Sequence, residues 1–179
     1  MKTARTILLC ASLILGVLSS CGDLGDEIPA VPLLSTDKAL FLHVTRTDPF
    51  STYALFPNAD SVTSGTLNGS TAHQPLVRVS MNAKALGAIR NGSLPPGARF
   101  PDGAVVFKEI IMNGRTVLYA VILKDSANPL SANGWLWAEH APDGAPAFSV
   151  TRRGVGCVEC HSREQGPAHD FVRTFERQR

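Results

Sequence analysis

A chain of 179 residues and 19.1 kDa has the size of one ordinary domain. With 44% hydrophobic and 18% charged residues it has the apolar mass for a packed core, which argues against a disordered chain. Seventeen basic residues against fifteen acidic ones, with no basic stripe, argue against a nucleic-acid binder, and four cysteines are too few for a disulfide-dense scaffold.

The N-terminus reads as an address followed by an anchor. Lys2 and Arg5 precede a short apolar run from Ile7 to Leu18, the layout of a secretory signal and too short for a membrane-spanning helix. Leu18-Ser19-Ser20-Cys21 resembles a bacterial lipobox, in which cleavage falls before the cysteine and the cysteine carries lipid. Residues 1–20 are thus expected to be a lipoprotein signal peptide and Cys21 the lipidation site. Their removal takes away Lys2, Arg5 and Cys10 and leaves equal numbers of basic and acidic residues. Residues 21–34, with Asp23, Asp26, Glu27, Pro29 and Pro32, read as a tether, and 35–179 as a single domain. The expected location is a membrane-anchored lipoprotein facing the periplasm or the cell exterior.

Within the domain, Ser35 or Thr36 can cap a helix over about 37–45, ended by Asp48-Pro49. Residues 57–74 are polar and glycine-dotted, hence loop-like. Leu76 to Met81 alternates as a strand, and Asn82 to Asn91 fits a short helix with Gly92 as its stop. Asn68-Gly69-Ser70 and Asn91-Gly92-Ser93 match the glycosylation sequon but read as plain turns behind a bacterial lipobox.

Asn113-Gly114 between Ala104–Met112 and Arg115–Lys124 is the strongest element signal, because a two-residue hairpin turn needs positive φ at both positions. A regular hairpin sets Met112 opposite Arg115, Ile110 opposite Val117 and Lys108 opposite Tyr119. Lys108 then shares a face with Val106, Ile110, Val117, Tyr119 and Val121, and Glu109 shares the other with Phe107, Ile111, Leu118 and Ala120. Each face carries one charge among apolar residues, so one of the two needs a partner. A third strand is expected over 134–140, with Trp135 and Trp137 on one face, and a fourth over 147–151. The fold class is mainly β (α+β): an antiparallel meander with a few short helices.

Cys157-Val158-Glu159-Cys160-His161 is the Cys-x-x-Cys-His pattern of c-type haem attachment. Two cysteines three apart reach the two vinyl groups of one haem, and the adjacent histidine falls under the iron. A zinc site would need more ligands, and a thioredoxin-like motif would need an α/β setting. A disulfide between the two cysteines is the remaining alternative. Only 18 residues follow His161 and none is methionine, so a downstream methionine ligand is excluded. Met81 and Met112 read as core residues. His43, His73, His140 and His169 are candidates for a sixth ligand; an open distal position is favoured, which suits binding or chemistry of a small ligand. Arg152, Arg153 and Arg163 flank the motif and can pair with haem propionates. Trp135, Trp137, Phe107 and Tyr119 are expected to line the pocket or the core.

Over residues 40–175 the chain resembles the cytochrome P-460 and cytochrome c′-beta family. The resemblance rests on Leu76-Val77-Arg78-Val79 with Asn82 and Ala85, on Phe100-Pro101-Asp102-Gly103 through Lys108-Glu109, on Trp135-Leu136-Trp137, and on Gly156 to Ser162. Asp170-Phe171-Val172 adds to it. The resemblance implies an antiparallel sheet carrying one covalent haem c, bound by Cys157 and Cys160 with His161 as iron ligand. Cytochrome P-460 members oxidise hydroxylamine and carry a further bond from a lysine to the haem, a position that Lys108 matches. Cytochrome c′-beta members lack that bond and bind nitric oxide. The catalytic candidates are therefore Lys108 with Glu139 or His140 as proton acceptor, ranked above Glu109. Expected partners are a small nitrogen-oxide or hydroxylamine ligand, a redox-partner cytochrome, the membrane through the lipid anchor, and a second copy of the chain. A haem protein that only binds nitric oxide and a plain electron carrier are the alternatives.

Overall fold

The computed structural model describes residues 34–67 and 70–177. The signal peptide, Cys21 and all of the tether but Leu34 lie outside the described residues, as does most of the Asn68 sequon.

Helix α1 spans Asp37–Leu42, and Thr36 accepts the Ala39 N–H as its cap, satisfying one of the orphan donors of the first turn. The helical path continues to Thr47, but in a wider π turn rather than the expected α-helix. The strands are β1 (Ala54–Leu55), β2 (Thr63–Ser64), β3 (Leu76–Met81), β4 (Val105–Met112), β5 (Arg115–Lys124), β6 (Trp135–His140) and β7 (Pro146–Phe148). They form one antiparallel sheet in the order β1-β3-β4-β5-β6-β7, with β2 also pairing β3. The fold is mainly β, as the sequence pattern implies. The fourth strand is shorter than expected and gives way to a 3-10 turn at Val150–Arg152.

Helix α2 (Ala83–Gly87) is capped by Asn82, whose side-chain oxygen takes both the Ala85 and Val105 N–H groups. It stops before Gly92. Asn91 (φ 52°) and Gly92 (φ 78°) instead close a separate tight turn between Arg90 and Ser93.

The hairpin turn is as expected, with Asn113 at φ 52° and Gly114 at φ 73°. Its register is not. The pairing slips between Ile110 and Ile111, so Val117 bulges out of the ladder and is 41% exposed. Beyond the bulge, Glu109 pairs with Tyr119 and Lys108 with Ala120. Because the side-chain period is two, one extra residue turns β5 over. Lys108 therefore shares its face with Ala120 and Ile122, not with Tyr119 and Val121.

Each face of the sheet carries a core. On one face Val77, Val79, Met81, Val106, Ile110, Trp135 and Trp137 pack with Phe100 and the C-terminal Val172 and Phe175. On the other, Val105, Phe107, Val121, Leu123 and Leu136 pack against Leu40 and Val44. Phe107 and Tyr119 belong to this second core, where Phe50 stacks on Phe107 at 4.3 Å. Neither therefore lines a pocket with Lys108. Met81 is buried, but Met112, at the hairpin end, is 46% exposed and is no core residue.

Candidate haem site

Helix α3 (Cys157–His161) lies against the Lys108 face of the sheet. Its first turn is set by Gly154, which sits at φ 66° and whose carbonyl accepts the Val158 N–H. A Cβ there would press on the Trp137 ring, so only glycine lets the chain pass so close. Trp137 in turn meets the His161 ring edge-on at 4.8 Å.

His161 donates its Nδ1–H to the Phe171 carbonyl at 2.6 Å. That bond fixes the tautomer and leaves Nε2 with a lone pair, the atom an iron would take. Burial holds the His161 imidazole neutral, and the Lys108 charge adds to it, so its pKa falls to about 3. The Phe171 carbonyl is held by its own anchors. Asp170, 1% exposed, receives Lys124 Nζ at 2.9 and 3.0 Å, the Phe100 N–H at 2.9 Å and Arg99 at 3.1 Å. Its carbonyl takes the Trp135 indole N–H at 2.8 Å. Gly166 closes the same loop so tightly that a Cβ on it would collide with the His161 carbonyl oxygen.

Cys157 and Cys160 are unbridged. Burial pushes the Cys157 thiol up to about 11, with the Glu139 charge acting in the same direction. Arg173, almost fully buried, donates to the Cys160 carbonyl at 3.1 Å and to Glu164 at 2.8 Å, tying the end of the motif to the C-terminal segment.

The motif opens on a cavity of about 270 Å³ whose walls include His73, Lys108, Glu139, Cys157, Cys160 and His161. An adjoining apolar recess of about 40 Å³ is floored by Val106, Ala120, Ile122 and Trp137. The floor follows from sheet register. Lys108, Ala120 and Glu139 stand in one row across β4, β5 and β6. Small Ala120 leaves a gap between the two charged side chains, and His73 fills it. Lys108 Nζ lies 3.1 Å from His73 Nδ1, and His73 Nε2 lies 3.1 Å from Glu139 Oε1.

Of the residues expected at the site, the structure therefore brings together Lys108, Glu139, Cys157, Cys160 and His161. It does not bring His140. That side chain is fully buried on the opposite face, against Phe41 at 5.3 Å, because alternate residues of β6 point to opposite sides of the sheet. Glu109 also points away and pairs with Arg78 at 3.1 Å. Among the four histidines considered as a sixth ligand, His73 alone lines this cavity, and both its ring nitrogens are engaged there. Arg152 reaches the cavity rim, with its guanidinium 4.5 Å over the Phe148 ring.

The donor set fits a c-type haem. Two thiols three residues apart and an imidazole with a bare Nε2 share one short helix, and all three side chains open on one cavity with an apolar floor.

The family model of cytochrome P460 matches residues 59–174. The chain belongs to the cytochrome P460 family. This match spans the cavity row, the haem motif and the Asp170-Phe171 loop, so the parts that build the site are the parts the family shares. Among curated proteins, none matches the chain. Membership implies haem c binding, and the cavity geometry agrees with it.

Proposed function

We propose that the protein is an exported, lipid-anchored cytochrome with one haem c and an open distal iron position, which oxidises hydroxylamine or nitric oxide and passes electrons to another cytochrome. The observation that carries the reading is Lys108: a lysine aimed from the sheet into the cavity of the haem motif, hydrogen-bonded to a second titratable side chain. A lysine serving only solubility would turn its ammonium to water.

In this reading Cys157 and Cys160 would hold the haem by thioethers, and His161 Nε2 would ligate the iron. The bound haem supplies the redox chemistry and a position for the small ligand. The protein contributes orientation and exclusion of water. The Phe171 carbonyl orients the imidazole, Trp137 meets its ring edge-on, and Ala120 and Ile122 would offer the haem an apolar contact surface. Lys108 would tether the ring a third time, and Glu139 would take part in carrying off a proton released by the substrate. Cys21 is the proposed lipid attachment site; globomycin treatment should accumulate a heavier chain that keeps residues 1–20, and Cys21→Ala should remove the mass of the lipid.

The deciding experiment is the absorption spectrum of the haem-matured protein beside its Lys108→Ala variant, oxidised and reduced. A red-shifted ferrous Soret band that the variant loses supports a lysine tether and hydroxylamine oxidation. Identical high-spin haem c spectra overturn the tether and favour a protein that binds nitric oxide. A low-spin spectrum in both oxidation states would mean a filled sixth position and an electron carrier. Cys157→Ala with Cys160→Ala should abolish thioether attachment.

A further inference from the structure

From this geometry we infer that His73, oriented by Glu139, is the proton-accepting base of the cavity. The inference rests on the haem reading above and names a residue that the sequence pattern offered only as an iron ligand.

Three observations support it. First, the hydrogen bonds are consistent with one another. The Lys108 ammonium can only donate, so His73 Nδ1 accepts; Nε2 therefore carries the proton and donates it to the Glu139 carboxylate. A carboxylate behind the ring holds it in the tautomer whose bare nitrogen faces the cavity, and stabilises the cation formed when that nitrogen takes a proton. Second, Lys108 marks the accepting position. Its N–H group occupies the place that an N–H or O–H of an entering ligand would take, once the lysine is displaced or drawn to the haem. Third, the pair has an outlet. The side chains of His73 and Glu139 are 18% and 24% exposed, so a proton received inside is relayed to water at the rim.

The proton balance is simple. The ligand loses a proton to Nδ1 and becomes an anion; His73 becomes a cation beside the Glu139 anion, then returns to neutral as a proton leaves for solvent. Among the described residues, the charged and titratable groups sharing this cavity are Lys108, Glu139, Arg152, His161 and Arg173, besides the motif cysteines.

The test is the rate of cyanide binding to the ferric, haem-matured protein, followed by stopped-flow absorbance across pH. Hydrogen cyanide must give up its proton to bind as an anion, so a base in the cavity speeds binding at neutral pH. His73→Gln keeps a polar side chain but accepts no proton there. Its rate constant should fall at least tenfold at neutral pH and rejoin the wild-type value in alkali, where cyanide is already ionised. Superimposable profiles would overturn the inference. Glu139→Gln is the second variant, should His73→Gln fail to mature. It removes the carboxylate that favours the imidazolium, so the acid limb of the rate profile should move to lower pH by about one unit. An unmoved limb would also overturn it. Cyanide that binds the wild type at no pH would remove the open-iron reading itself, and the inference with it.

Discussion

Lys108 and Glu139 face each other across Ala120, in one row of the sheet, with His73 seated between them. The spacing is two strand separations, roughly 10 Å. His73 bridges that span, with one ring nitrogen 3.1 Å from Lys108 Nζ and the other 3.1 Å from Glu139 Oε1. The size of residue 120 therefore decides what the cavity can hold.

Ala120→Leu should fill this gap. The added atoms compete with His73 and with any ring lying on the floor. The haem-to-protein ratio after maturation should fall several-fold. Overpacking of this kind costs about 1–3 kcal/mol, so the sheet should persist. Pyridine haemochrome absorbance set against protein concentration, with circular dichroism for the sheet, checks both.

Asp170→Asn should cost about 3–5 kcal/mol, because it leaves Lys124 charged, buried and without its carboxylate. Chemical denaturation of the haem-matured protein measures this. The same change loosens the loop that carries the Phe171 carbonyl, so the His161 imidazole should gain rotational freedom. A lowered iron–histidine stretching frequency in the ferrous resonance Raman spectrum would report it.

Gly166→Ala and Gly87→Ala should have opposite effects. At Gly166 the new Cβ meets backbone, the His161 carbonyl, and backbone has nowhere to go. Haem attachment should drop sharply. At Gly87 nothing lies within 4 Å of the new Cβ. There alanine should be neutral or stabilise by about 0.4–1 kcal/mol through the unfolded chain. Thermal unfolding of the two variants side by side gives the comparison.

His140 should make the protein acid-sensitive. It is fully buried, and neither ring nitrogen makes a well-formed hydrogen bond among the described residues. Burial lowers its pKa from 6.5, and the Asp37 charge only partly opposes this. The unfolded chain thus takes up this proton at higher pH than the folded one. The contribution is present above pH 6.5 and is lost as pH falls below it, by at most about 1.4 kcal/mol per pH unit. In His140→Phe, the stability measured by urea denaturation should fall less steeply on acidification.

The haem motif, the Asn113-Gly114 turn and the Trp135/Trp137 strand are legible from residues alone, because each is a local pattern with a local cause. Lys108 is legible as a charge needing a partner, though not the partner itself. His73 comes from a polar loop more than thirty residues earlier, and no periodicity points from it to Lys108. Val117 was hidden for a different reason. A bulge leaves the apolar alternation of β5 intact on paper while exchanging its faces, so Ala120 read as lying away from the lysine it adjoins. His140 was misplaced relative to Glu139 by its adjacency in sequence: neighbours along a strand occupy opposite sides. The Asp170 clamp is visible only as a familiar tripeptide, since its four hydrogen bonds come from Arg99, Phe100 and Lys124, all distant along the chain.

Strands β3 to β6 each pair with the next in sequence, and the cysteines follow them. Contacts between chain neighbours form with little loop-closure cost, so the meander is the quick part of this fold. A chain emerging N-terminus first can thus assemble the wall of its cavity before Cys157 and Cys160 arrive. Under the proposed thioether attachment, haem would then meet a partly built receptacle, and the order of synthesis would double as an order of assembly.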